Sequence, residues 1–251
     1  MSEFYVPPLS DIDEYQAFVR ESRFGEAAED GWDSPDTRAK YADYVQDEVA
    51  EILFQHGPSM NLMVPTAWMH MVRENPSLGG IDDLRELQDK IADETGDTVW
   101  FLSDILLREG HNVAQAAGQR LSEKTGEQVH IRDFATLDQQ VAIHSDAICT
   151  PHAWRQYGDG EQTVTEFPGL VYMRYSEELI QALKADGEEP DGRITNAAAD
   201  MLLALTYIAQ SRLDTNIETI ANFNRAKLQN RRANDGDKSK DISFADFRLA
   251  S

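Results

Sequence analysis

One cysteine, Cys149, stands among 251 residues, so no intrachain disulfide can form and a single chain cannot build a metal centre chiefly from thiolates. Lysine is also scarce, with 7 against 16 arginines, while 45 acidic residues bring the formal charge to −22. A field of that sign repels naked nucleic acid at long range and argues against a polymeric DNA or RNA ligand. The same balance fits a chain adapted to high salt and, equally, an ordinary acidic protein. No apolar run approaches the roughly 18–20 residues of a membrane span. The opening MSEFYVPPLSDIDEY has neither the basic flank nor the apolar core of a secretory signal. The expectation is a soluble cytoplasmic protein with no membrane partner. Two catalytic signatures are missing as well, the phosphate-cradling GxxxxGK[ST] and the nucleophile elbow GxSxG.

Strand-type alternation is short and rare, whereas helical periodicity dominates and predicts an all-α chain. LSDIDEYQAFVRES places a capping Ser or Asp before Ile12, Tyr15 and Val19 at i, i+3 spacing. TRAKYADYVQDEVAEILFQ predicts a helix over about 36–55 that ends at HGP. Residues 57–80 carry three prolines and three glycines, which suits a loop with at most a short helix. DLRELQDKIADETGDTVWFLSDILLREG is long enough for several turns closed by Gly110, and VAQAAGQRLSEKTG follows as another helix.

The second half repeats this order. HIRDFATLDQQ at 130–140 is similar to DIDEYQAFVRE at 11–21, and MRYSEELIQAL echoes YVQDEVAEIL. The stretch from Asp97 is echoed from Asp200 onward. These correspondences predict two helical units, 1–128 and 129–251, packed as an intrachain pseudo-dimer. The polar tail from Ala233 is expected to be loosely attached.

Carboxylates recur at helical spacing beside apolar residues. Asp47, Glu48 and Glu51 lie in DEVAE, with Glu48 and Glu51 one turn apart, and Glu94 and Asp97 share a helix face in ETGD. Two such helices brought together offer four or five oxygen donors, and like charges a few ångströms apart either protonate or recruit a cation. A hard divalent ion, Mg²⁺ or alternatively Mn²⁺, suits that donor set. The bland alternative is a pair of solvated helix faces. A zinc site from His144, Cys149 and His152 is a further candidate, resting only on three soft ligands close in sequence.

In these motifs the chain resembles the MazG-like all-α nucleoside triphosphate pyrophosphohydrolases. That family carries EExxE on one helix and ExxD on a later one; here DEVAE is followed by ETGDTVWFL, where the family commonly shows ELGDVLWYL. The resemblance implies conversion of a nucleoside triphosphate and water to the monophosphate and pyrophosphate, in clean-up of the nucleotide pool. It implies Glu48, Glu51, Glu94 and Asp97 as Mg²⁺ ligands and Asp47 either as a group that supports those ligands from behind or as an aid to water deprotonation. Arg120, Lys124, Lys227 and Arg231 become candidate phosphate clamps, with Asn224 in the same phosphate-binding stretch. Trp68 or Phe54 is the candidate to stack on the base, and Trp100 is structural. Two departures stand out. The gap between Glu51 and Glu94 is long for the family, so 57–80 reads as an insertion. In the second half the motifs decay to EELIQ and AAAD, where Glu177, Glu178 and Asp200 persist but Gln181 and Ala197 replace two ligands. That half is expected to be catalytically silent. The resemblance leaves open a homodimer, and a competing function remains: a nucleotide-sensing or partner-binding helical module with reduced or no catalysis.

Overall fold

Polar side chains that satisfy the first free N–H groups set where the helices begin. The computed structural model describes residues 11–23, 31–32, 34–55, 81–149, 168–185, 192–234, 236–237 and 241–250, and these contain helices and no strand. Asp11 accepts from Asp13 N at 2.7 Å and opens α1, Ile12–Glu21. Asn112 accepts from Ala114 N at 2.8 Å and opens α4, Val113–Thr125. Asp133 and Thr136 form a capping box at the start of α5, Phe134–Ile143. Asn216 accepts from Thr219 N at 2.8 Å and opens α9, Ile217–Ala233. Each such cap is worth about 1 kcal/mol.

Between them run α2, Pro35–Ala50, and the long α3, Ile81–Arg108. Past α5 come the single turn α6, Ser145–Ile148, then α7, Pro168–Lys184, and α8, Arg193–Arg212. Gly110 takes φ 79° after α3, and His111 N then reaches back to Leu106 O at 2.8 Å, closing the helix where the sequence indicated. α2 does not continue as an α-helix to residue 55. From Glu51 to Gln55 it widens into a π-helical turn, a form concentrated at functional positions.

α3 packs on α8 and α2 on α7, while α9 lies against α3 and α4 against α8. Ile91, Val99, Leu102 and Ile105 of α3 and Met201, Leu202 and Leu205 of α8 are buried, and the two halves share one continuous apolar cluster. Two external caps tie the layers together. Gln16 on α1 accepts from Val113 N at 3.2 Å, and Asp138 on α5 accepts from Ile217 N at 3.1 Å. Gln16 and Asp138 each stand four residues into their helices, so matching helix starts set Asp133 against Asp11, three residues from the pairing suggested by HIRDFATLDQQ.

The tail differs from expectation. Its last helix, α10, Phe244–Ala250, buries Phe244 edge-on against Phe223 with centroids 5.2 Å apart, and Phe247 contacts the same ring at 5.7 Å. Arg231 pairs with Asp241, and Arg248 reaches Asp89 at 3.2 Å. Burying one phenylalanine is worth about 1.5–3 kcal/mol, enough to dock a short segment of otherwise polar composition. No helix among the described residues is long and apolar enough to cross a membrane.

Candidate metal centre

Where the end of α2 meets the middle of α3, three glutamates converge. Glu48, Glu51 and Glu94 each offer a carboxylate oxygen, and these oxygens lie within 4.8 Å of one another. Glu48 in the last turn of α2 and Glu51, the first residue of the π turn, are brought together as the spacing predicted. Among the described residues this is the one group of three or more His, Cys, Asp or Glu side chains so placed. Glu48 Oε2 is buried and has no hydrogen-bond partner among them.

The cluster lines a cleft of about 420 Å³ whose wall carries seven carboxylates, from Asp47, Glu48, Glu51, Asp93, Glu94, Asp97 and Asp241. Among the described residues two cations, Lys227 and Arg231, face them, together with Tyr44. Burial pushes Glu48 up to about 9, with Asp97, Glu94 and Glu51 adding to the effect. Glu94 rises to about 8 through burial and then the charges of Glu51, Asp93 and Asp97. Burial also raises Asp93, against the opposing pull of Lys227. Carboxyls pushed up in this way keep their protons to higher pH, and a divalent cation would compete with those protons for the site.

Asp97 lines the same cleft but is engaged from across the molecule. Asn224 Nδ2 donates to one oxygen at 2.5 Å, and Lys227 Nζ meets the other at 2.8 Å. Lys227 also meets Asp93 at 2.7 Å and is 4% exposed. Burial alone would lower the ammonium, yet Asp97 and Asp93 outweigh it and hold it above its ordinary value. Gly96 permits this approach, because a Cβ there would sit 3.0 Å from Asn224 Cβ. That answers why a glycine interrupts the acidic stretch of α3.

Arg120 and Lys124 lie elsewhere. They close on Asp200 of α8, Arg120 at 2.8 Å and Lys124 at 2.9 Å, and Asp200 is 1% exposed. The arrangement mirrors the first: a cation-bearing helix of one half covers the acid-bearing helix of the other. Arg120 and Asn224 each stand eight residues past their capping asparagines, Asn112 and Asn216. Among the described residues no glutamate cluster forms around Asp200. Ala197 is buried, and Glu177, Glu178 and Gln181 are exposed.

The remaining sequence candidates divide. Asp47 is exposed at the rim of the cleft, and Arg231 lines it while pairing with Asp241. Trp100 is buried and donates to Ser22 Oγ at 2.8 Å, a structural role. Trp68 and His152 lie outside the described residues, as does the side chain of Phe54, while Cys149 is buried. Sequence reasoning missed Asp93, Tyr44 and Asp241. Asp93 and Tyr44 carried a local signal, each standing one helical turn before a named carboxylate, Asp97 and Glu48. Asp241 carried none, since it arrives with the docked tail. Comparison with protein-family models, with curated proteins and with solved structures finds no match for this chain.

Proposed function

We propose that the chain is a divalent-metal-dependent nucleoside triphosphate pyrophosphohydrolase, built as an intrachain pseudo-dimer of two MazG-like units of which the first alone keeps a site. The observation that carries this reading is the excess of seven carboxylates over two cations around a buried Glu48 oxygen without a partner. A polyanionic substrate cannot enter such a cleft unless a cation enters with it. The duplicated, reciprocal contacts of Asp97 with Lys227 and of Asp200 with Lys124 support the pseudo-dimer.

Glu48, Glu51 and Glu94 would hold Mg²⁺ or Mn²⁺, with Asp97 beside them. Bound there, the ion would neutralise the triphosphate and lower the pKa of an attacking water. The chain's own groups do the rest. Lys227 and Arg231 are the cations that face the cleft, placed to draw phosphate oxygens inward. Asp47, exposed at the rim and outside the glutamate trio, would take the proton of a water attacking the α-phosphorus, whereas Asp93, Asp97 and Asp241 are paired with Lys227 and Arg231. The Pα–O bond to the β-phosphate breaks, and pyrophosphate leaves with the bonding electrons.

The test is pyrophosphate release from a panel of standard and modified nucleoside triphosphates, with and without Mg²⁺, for wild type and Glu94→Gln. Wild type should release pyrophosphate only with Mg²⁺, and Glu94→Gln should lose ~100-fold or more, beyond the 10–100-fold typical of groups that merely orient a ligand. Binding without release from any nucleotide would leave a sensing module instead of an enzyme.

A further inference from the structure

The cleft is polar except at one edge. Tyr44 lies on α2 four residues before Glu48, about 6 Å along the axis, and it lines the cleft while remaining 43% exposed. Few large apolar side chains are so exposed here; among the described residues the others are Ile143 and Met173. The ring of Tyr44 is not loose. It stacks on Phe101 with centroids 5.4 Å apart and an interplanar angle of 21°. Phe101 is wedged edge-on by Trp100 at 5.1 Å and by Tyr41 at 6.2 Å. Those neighbours are buried, so the stack is anchored in the core and ends in one accessible aromatic ring beside the acid cluster.

Tyr44 both covers Phe101 and stands where the aromatic stack meets the cleft that holds the carboxylates. A planar ring preorganised by packing loses little freedom when a second planar ring settles on it, so the stacking energy is retained as affinity. We propose that Tyr44, braced by Phe101, is the platform on which the base of the nucleoside triphosphate stacks while its phosphates lie against Lys227 and Arg231. This rests on the pyrophosphohydrolase reading and names the part of the substrate that reading left unplaced. Trp68 and the side chain of Phe54, the sequence candidates for that role, lie outside the described residues.

The experiment measures binding, by calorimetry with Mg²⁺, of the α,β-methylene analogues of ATP and UTP and of inorganic tripolyphosphate. Wild type is compared with Tyr44→Ala, with Tyr44→Leu, which keeps an apolar cover on Phe101 but has no ring, and with Tyr44→Phe. Both Ala and Leu variants should bind the nucleotide analogues about tenfold more weakly, and Phe should restore them. Tripolyphosphate, which has no base, should bind all four proteins alike. Nucleotide affinity unchanged in Tyr44→Ala and Tyr44→Leu, or tripolyphosphate affinity falling in parallel, overturns the platform and leaves the phosphate site standing. If wild type binds neither nucleotide analogues nor tripolyphosphate, the pyrophosphohydrolase reading itself falls.

Discussion

Asp97 and Asp200 are each met by a cation from the other half of the chain, and their surroundings diverge. Asp200 is almost fully buried and receives both Arg120 and Lys124, so its charge is cancelled by protein groups. Asp97 receives Lys227 and Asn224, but Lys227 is shared with Asp93, and Glu48, Glu51 and Glu94 are added beside it. In the correspondence read from the sequence, Gln181 pairs with Glu51 and Ala197 with Glu94, while Glu177 and Glu178 are exposed where Glu48 is half-buried. Where acids and cations balance, the result is a buried ion pair that ties helices together. Where acids exceed cations, the surplus stays protonated or takes a metal.

The sharpest way to break this comparison is to remove the cation that belongs to the acidic side. Lys227→Met should cost about 3 kcal/mol of unfolding free energy at pH 8 without metal, because Asp93 and Asp97 lose their buried partner. Mg²⁺ should restore much of that, as read from urea midpoints with and without the ion. Asp200→Asn should cost about 2 kcal/mol, less than a fully buried pair because Arg120 is 27% exposed, and Mg²⁺ should not restore it. Smaller again is Gly96→Ala. Crowding of Asn224 opposes the gain in helix propensity, for a net loss of about 1 kcal/mol.

pH separates the halves more gently. Glu48 and Glu94 rise from the model-compound value of 4.5 to about 9 and about 8 in the fold, so the native state binds more protons than the unfolded chain between those limits. Their contribution to stability is therefore complete below about pH 4.5 and is lost as pH climbs toward 8–9. Glu94→Gln should flatten that slope in urea titrations at a series of pH values without metal, and saturating Mg²⁺ should flatten it in wild type.

How much of this could be read from the residues follows from distance along the chain. Glu48, Glu51 and Glu94 were legible because helical spacing is local, and the end of α3 was legible because Gly110 marks it. The partner of Asp97 was not, since Lys227 comes 130 residues later and its charge suited a phosphate equally well. Arg120 and Lys124 were read as phosphate clamps, and their pairing with Asp200 escaped for the same reason: spacing names a helix face and does not say which helix covers it. The π turn at Glu51 left no mark in a sequence whose composition is ordinary helix. Docking of the tail was signalled by Ile242, Phe244 and Phe247, three apolar residues outweighed in the reading by their polar surroundings.

The central claim is that one half of the chain binds a divalent cation and the other does not. Calorimetric titration of the metal-free protein with MgCl₂ and MnCl₂, at high salt to suppress diffuse binding, addresses it most directly. A single saturable site at the glutamate trio is expected, accompanied by proton release, abolished in Glu94→Gln and unchanged in Asp200→Asn. Equal binding by wild type and Glu94→Gln, or a site lost in Asp200→Asn while Glu94→Gln retains it, would contradict the claim.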